Sequence, residues 1–231
     1  MNRGGLSALV AALAGATYCG SAAQAAELEV RGPQDGGFTV RATSLREARF
    51  LSTLRQQFDF SCGSAAVVTL LNFHYGQRVT EREVFSRMFE KGDQAKIRKE
   101  GFSMLDMKRY LATKGFVADG FEQPIERLLQ EKLPAIVLIS ERGYRHFVVV
   151  KGIARGRVLV GDPAMGTRTI SLERFRQLRV NDILFVIHNR REMARFNDTD
   201  HWLVAPAAPL SAAIDQSRLL ETLPVRQAGG R

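Results

Sequence analysis

Pro134 divides the chain by period. Before it, apolar residues recur at helical spacing between helix start and stop signals; after it, Val, Ile and Phe come in short runs bounded by Gly, Asp and Asn. Helices gathered on one side of the chain and strands on the other exclude the alternating pattern of a parallel βαβ sheet. They predict an α+β domain with N-terminal helices followed by an antiparallel sheet. In the helical half, Ser61 is the expected N-cap of "AAVVTLLNFHY", which is apolar almost all round until Gly76 and reads as a buried helix. Thr80 with Glu83, and Ser103 with Asp106, have capping-box spacing and open "EREVFSRMFEKG" and "MLDMKRYLATKG", each ending on glycine. "FVADGF" reads as a strand and "IERLLQEKL" as a helix. The strands expected after Pro134 are "AIVLIS", "HFVVVKGIA", "RVLVGDP", "TRTIS" and "DILFVIH", with "LERFRQL" a helical turn before the last.

The ends read differently. Residues 1–25 hold Arg3 as their only charge, an apolar stretch from Leu6 to Ala16 and small residues closing on Ala23-Gln24-Ala25, the order of a secretory signal peptide cut after Ala25. Residues 26–48 form an N-terminal extension with short strands at "LEVRG" and "FTVRA", 49–190 the domain proper, and 191–231 a C-terminal tail in which only "SAAIDQSRLLETL" has helical character. No segment reaches the ~18 consecutive apolar residues of a membrane span, so the mature chain is expected to be exported without a transmembrane anchor.

Of two cysteines, Cys19 lies in the segment to be removed, and "ATYC" is a poor lipid-attachment site because bulky Tyr18 precedes the cysteine. Cys62 is then the only thiol of the mature chain, which excludes an intramolecular disulfide. A lone thiol in an oxidising compartment is either buried and inert or kept for its chemistry. The net charge of +9 is spread through "AKIRKEG", "LERFRQLR" and "NRREMAR" rather than set among aromatics. That is a solvated basic surface, open to an acidic partner, with no nucleic-acid footprint.

Cys62 stands at the predicted start of the buried helix, where unpaired N–H groups and the positive end of the helix dipole favour the thiolate. Gly63 follows, and a residue without Cβ lets another molecule's carbonyl approach the backbone. Of the four histidines, His74 lies along the same helix, about 18 Å away at helical rise; His188 closes the last strand, and His201 sits in the tail beside Trp202. His146 opens a hairpin whose turn falls at "ARG". Counted out from Ala154, Asp162 stands directly opposite His146 on the same face and is the only carboxylate in its strand. A histidine oriented by a carboxylate is the arrangement that activates a cysteine. Taken singly, His146 also suits a core position and Asp162 an Asx turn; with the helix-start cysteine the three converge. The Cys62 N–H can donate to a tetrahedral oxyanion, and Gln56 or Gln57 can add a side-chain amide, spacing not choosing between them.

"QQFDFSCGSAA", "RHFVVVKG" and "VGDPAMG", in that order over about residues 49–190, resemble the C39 peptidases, the bacteriocin-processing cysteine peptidases. The resemblance implies a papain-like fold with Cys62 as nucleophile, His146 as base, Asp162 as its orienter and Gln56 in the oxyanion hole. Family members fused to peptide exporters carry a transmembrane region and an ATPase domain, whereas this chain has no membrane span and no G-x-x-x-x-G-K-[ST] motif. It is more similar to the stand-alone C39-like proteins of functional-amyloid (Fap-type) secretion. That implies a periplasmic location, a peptide or secreted-protein substrate, and secretion-system or amyloid components as partners. Because exporter-linked members cut after two glycines, Gly229-Gly230 marks a tail that is either simply frayed or able to reach the groove, there to be trimmed after Gly230 or to act as a weak self-inhibitor.

No H-E-x-x-H or paired C-x-x-C occurs, so neither metal nor cofactor is expected. Two other readings use the same residues. An amine in place of water as acyl acceptor makes a transferase of the triad; a peptide-recognition groove with an idle thiol makes a non-catalytic binding module of a secretion apparatus. A pure binder has no use for the complete trio.

Overall fold

The computed structural model describes residues 26–31, 37–42, 44–57 and 60–205. The chain divides into two compact units, Met1–Ser44 and Leu45–Arg231. In the first, β1 (Ala26–Arg31) and β2 (Gly37–Ala42) pair antiparallel from Ala26↔Ala42 to Arg31↔Gly37, where the two short strands are expected. The signal-peptide reading, "SAAIDQSRLLETL" and Gly229-Gly230 lie outside the described residues.

The second unit runs α1 (Leu45–Ala48), α2 (Cys62–His74), α3 (Glu81–Lys91), α4 (Gln94–Glu100) and α5 (Met104–Thr113), then β3 (Ala118–Glu122), α6 (Arg127–Glu131), β4 (Ala135–Glu141), β5 (Tyr144–Ala154), β6 (Arg157–Asp162), β7 (Gly166–Ser171), α7 (Leu172–Leu178), β8 (Ile183–Ile187) and α8 (Thr199–Leu203). It is the α+β arrangement the period change predicts, with the six later strands in one antiparallel sheet of order β3-β8-β4-β5-β6-β7.

Local chemistry accounts for the helices. Ser103 and Asp106 make a complete capping box on α5, each side chain holding the other's backbone N–H. On α3, Thr80 accepts the Glu83 N–H but the Glu83 carboxylate turns outward to Lys114, so only half of the expected box forms. Helix α4 has no counterpart in the sequence reading. Asp93 caps it and Ile97 is its only buried residue, too small an apolar stripe to register as periodicity.

Helix α2 is buried almost all round, and its Val67 and Leu71 share one core with Met107, Leu111, Phe102 and the inner-face residues Ile136, Val149 and Phe185. The opposite sheet face packs Val137, Val148 and Val160 against Leu128 of α6 and Phe175 of α7. Strand β5 is therefore covered on both faces, which is why "FVVV" shows no alternation. The site-bearing end of α2 is thus fixed to β5 by a dry core.

At the other end of α2, His74 donates from Nδ1 to the Arg195 carbonyl at 2.5 Å, leaving Nε2 buried without a partner. The His201 ring meets it edge-on at 5.3 Å. Burial pushes His74 down to about 3 and His201 down to about 4. Both bind protons more readily when unfolded, so their effect on stability is absent above the ordinary histidine pKa and grows unfavourable as pH falls from about 6.5 toward the folded values. At pH 5 the His74 contribution alone amounts to about 2 kcal/mol. Urea unfolding at pH 7 and pH 5 is expected to show wild type losing about that much more stability than His74→Leu. Equal losses in the two proteins contradict the assignment.

Candidate active site

Cys62 is the first residue of α2 and only 8% exposed. Ser61 occupies the N-cap position without capping: its hydroxyl donates to Glu81 Oε1 at 2.8 Å instead. Burial is the largest influence on the thiol and raises its pKa; the N–H groups of Phe147, Gly63 and Cys62 itself lower it without reversing the shift. The helix start therefore does not depress the thiol pKa as expected from the sequence, because burial outweighs the N–H groups there. Gly63 also corrects an expectation. A Cβ there would lie 2.9 Å from Met107 Cε and from Phe102 Cβ, so the missing side chain admits the core, not an incoming carbonyl.

His146 is 4% exposed on β5; its Nε2 pairs with Asp162 Oδ2 at 3.1 Å and its Nδ1 is buried without a hydrogen bond. The Tyr144 ring stacks on the imidazole at 5.1 Å. The next residue, Phe147, packs in the same buried cluster as Cys62, and the charge of Asp162, the partner of His146, is felt at the Cys62 thiol. Asp162 is fully buried and doubly used. Oδ1 accepts from the Ala164 and Met165 N–H groups, an Asx turn, while Oδ2 serves His146 and Arg168. Burial opposes its charge, yet the His146 hydrogen bond, the His146 and Arg168 charges and the Ala164 N–H outweigh that and hold the carboxyl below its ordinary value.

The register reaching Asp162 differs from a plain count. Arg155 and Gly156, at φ 49° and 69°, make the two-residue turn and pair Ala154 with Arg157. A regular ladder from there would set Asp162 opposite Val149, on the face away from His146. Instead Gly152 pairs with Leu159 and Val150 with Val160, leaving Lys151 as an extra residue. This bulge shifts the ladder by one, so Val149 meets Gly161 and Asp162 comes level with Val148, diagonal to His146 on the same face. Asn197 plugs the bulge, donating to the Lys151 carbonyl and exchanging hydrogen bonds with the Ile153 backbone. A Cβ on Gly152 would come within 2.2 Å of its Oδ1. The buried Lys151 ammonium donates to the Ser52 carbonyl and hydroxyl, both at 2.6 Å, and burial pushes its pKa down to about 7.

That lysine tethers the segment carrying Gln56. Gln56 donates its N–H to the Pro163 carbonyl at 3.0 Å and buries Oε1 without a partner, whereas Gln57 is exposed and turns its N–H toward Glu81. Of the two glutamines, Gln56 lies against the turn after Asp162. The remaining histidines are elsewhere: His74 and His201 pack together, and His188 pairs with Asp119 at 2.9 Å. Among the described residues, no three His, Cys, Asp or Glu side chains gather as a metal site would require, and no helix is long and apolar enough to cross a membrane.

Sequence reasoning missed Lys151, Arg168 and Glu81. Only Lys151 left a trace, a Lys-Gly pair interrupting an apolar strand, which is a bulge signal.

Residues 51–191 match the model of the peptidase C39 family. The chain is 39% identical over 206 residues, 89% of its length and 87% of the relative's, to a protein of Pseudomonas aeruginosa described as a probable functional amyloid protease, FapD. It is 36% identical over 222 residues, 95% and 91% of the two lengths, to a protein so described in Pseudomonas fluorescens. The peptidase domain of Streptococcus ComA, a bifunctional ABC transporter, superposes with a TM-score of 0.50 at 19% identity, over 59% of this chain and 97% of that domain.

Proposed function

The chain belongs to the peptidase C39 family, and from that premise we propose that it is an exported cysteine peptidase that cuts a peptide or secreted protein through an acyl-enzyme on Cys62. The observation that carries the reading is the buried Asp162–His146 pair, whose strand neighbour Phe147 packs in one cluster with Cys62. In this reaction Cys62 Sγ bonds to the scissile carbonyl carbon while His146 Nδ1, the ring nitrogen without a partner, takes the thiol proton. The Cys62 N–H and the Gln56 side-chain amide hold the oxyanion. Collapse breaks the C–N bond and His146 returns the proton to the departing amine. A water deprotonated by His146 then opens the thioester and restores the thiol.

Its relatives' description as functional amyloid proteases and the signal-peptide pattern of residues 1–25 support a periplasmic peptidase acting on a component of an amyloid secretion system. A cavity of about 470 Å³ lined by Arg49, Phe50, Arg55 and Met165 adjoins Gln56 and the Asp162 turn, giving a peptide room on that side.

Asp162→Asn tests the orienter. Asparagine keeps an acceptor for the Ala164 and Met165 N–H groups but carries no charge to stabilise an imidazolium, so turnover is expected to fall about a hundredfold or more with little change in the urea midpoint. Equal pH–rate profiles for the two proteins would reduce Asp162 to a turn residue.

A further inference from the structure

Asp162 Oδ2 accepts from His146 Nε2 at 3.1 Å and from an Arg168 guanidinium nitrogen at 3.0 Å, and the same nitrogen donates to Glu141 Oε2 at 2.7 Å. Three strands thus bring a carboxylate, a guanidinium and a second carboxylate in line behind the imidazole: Asp162 from β6, Arg168 from β7 and Glu141 from the end of β4. We infer that Arg168 and Glu141 are positioning residues that trim the charge of the Asp162–His146 pair in opposite directions, and so set how readily His146 takes the Cys62 proton. The inference rests on the triad reading above.

Two features make the effect one of charge rather than scaffolding. Oδ1 of Asp162 is held by the Ala164 and Met165 N–H groups, so the carboxylate keeps its place without Arg168. The β6–β7 ladder, Asp162↔Gly166 included, is backbone pairing that needs neither side chain. The Arg168 and Glu141 side chains are 17% and 28% exposed, so their charges are screened less than those of a surface pair. Sharing one oxygen, the guanidinium and the imidazole stand within about 6 Å of each other, close enough for a unit charge to shift a proton equilibrium by about half a pH unit or more. Among the described residues, Tyr144 also faces the imidazole, stacked from its own strand, and the Asp162 charge acts on the Cys62 thiol from the other side of the pair.

The signs follow. Arg168 opposes a proton on His146 and Glu141 offsets Arg168. Without Arg168 the imidazolium forms more readily; without Glu141, less readily. Iodoacetamide alkylation of Cys62 at pH 6 in the whole chain reads this without a known substrate, because it depends on transfer of the thiol proton. Arg168→Gln is expected to raise the rate about threefold or more, Glu141→Gln to lower it by a similar factor, and Arg168→Lys, which keeps the charge, to stay within about twofold of wild type. Glu141→Gln, at a strand end, tests the inference even where Arg168→Gln folds poorly. A wild-type rate well above that of free cysteine that neither glutamine variant changes, or that both lower, overturns the trim and leaves the triad standing. A wild-type rate no higher than that of free cysteine and indifferent to His146→Ala overturns both.

Discussion

Cys62→Ala is expected to abolish proteolysis, by a factor of about a thousand or more, while the protein unfolds within about 1 kcal/mol of wild type. The two halves of that result have separate causes. The account routes both acylation and deacylation through one sulfur, and no other cysteine occurs after Cys19. The sulfur contributes little to the core because Val67, Leu70 and Leu71 further along α2 are fully buried and fix the helix without it. The measurement is turnover of an exported substrate alongside urea unfolding. Processing at the wild-type rate refutes the nucleophile, and a large loss of stability shows that the thiol is a packing residue.

Gly152→Val should be nearly as damaging to activity, for a reason that replacing Lys151 is not. A Cβ at Gly152 meets Asn197 Oδ1 at 2.2 Å, so the variant displaces the side chain that plugs the bulge; with Lys151 drawn into a regular ladder, Asp162 falls opposite Val149, on the face away from His146. Lys151→Met leaves Gly152 and Asn197 in place and so keeps the register. It leaves the Ser52 carbonyl and hydroxyl short of a donor, a cost of about 1–3 kcal/mol, against which it relieves the burial of an ammonium. Turnover is therefore expected to fall about a hundredfold or more in Gly152→Val and to stay within about tenfold in Lys151→Met, with cooperative unfolding in both. Comparable activity in the two variants contradicts the view that the bulge aims Asp162.

How far the sequence could be read depended on the range of the interaction. Local rules placed α2 at Cys62, the capping box at Ser103 and all five strands after Pro134, because caps, turns and β-branched runs act over a few residues. The α+β class followed from their order. The same local reasoning put His146 and Asp162 together but misplaced the turn, centring it on Ala154 where Arg155 and Gly156 form it. A register is set by every pair along a ladder, and one extra residue at Lys151 changes the face of everything beyond it. The Cys62 thiol shows the other limit. Its place at a helix start is read from local sequence, yet its pKa is raised by burial in a core assembled from distant segments, which no window of sequence contains. Arg168 and Glu141 lie on strands separated by the whole β5–β6 hairpin, and no spacing rule joins them.

The most direct test of the account is covalent trapping of the whole protein with a thiol-directed peptidyl epoxide at neutral pH, read by peptide mapping and mass spectrometry. The account predicts one adduct, on Cys62, formed much faster than on free cysteine and slowed to the free-cysteine rate by His146→Ala. Labelling of Cys62 no faster than free cysteine, and unchanged by His146→Ala, would contradict a peptidase and leave a binding groove with an idle thiol.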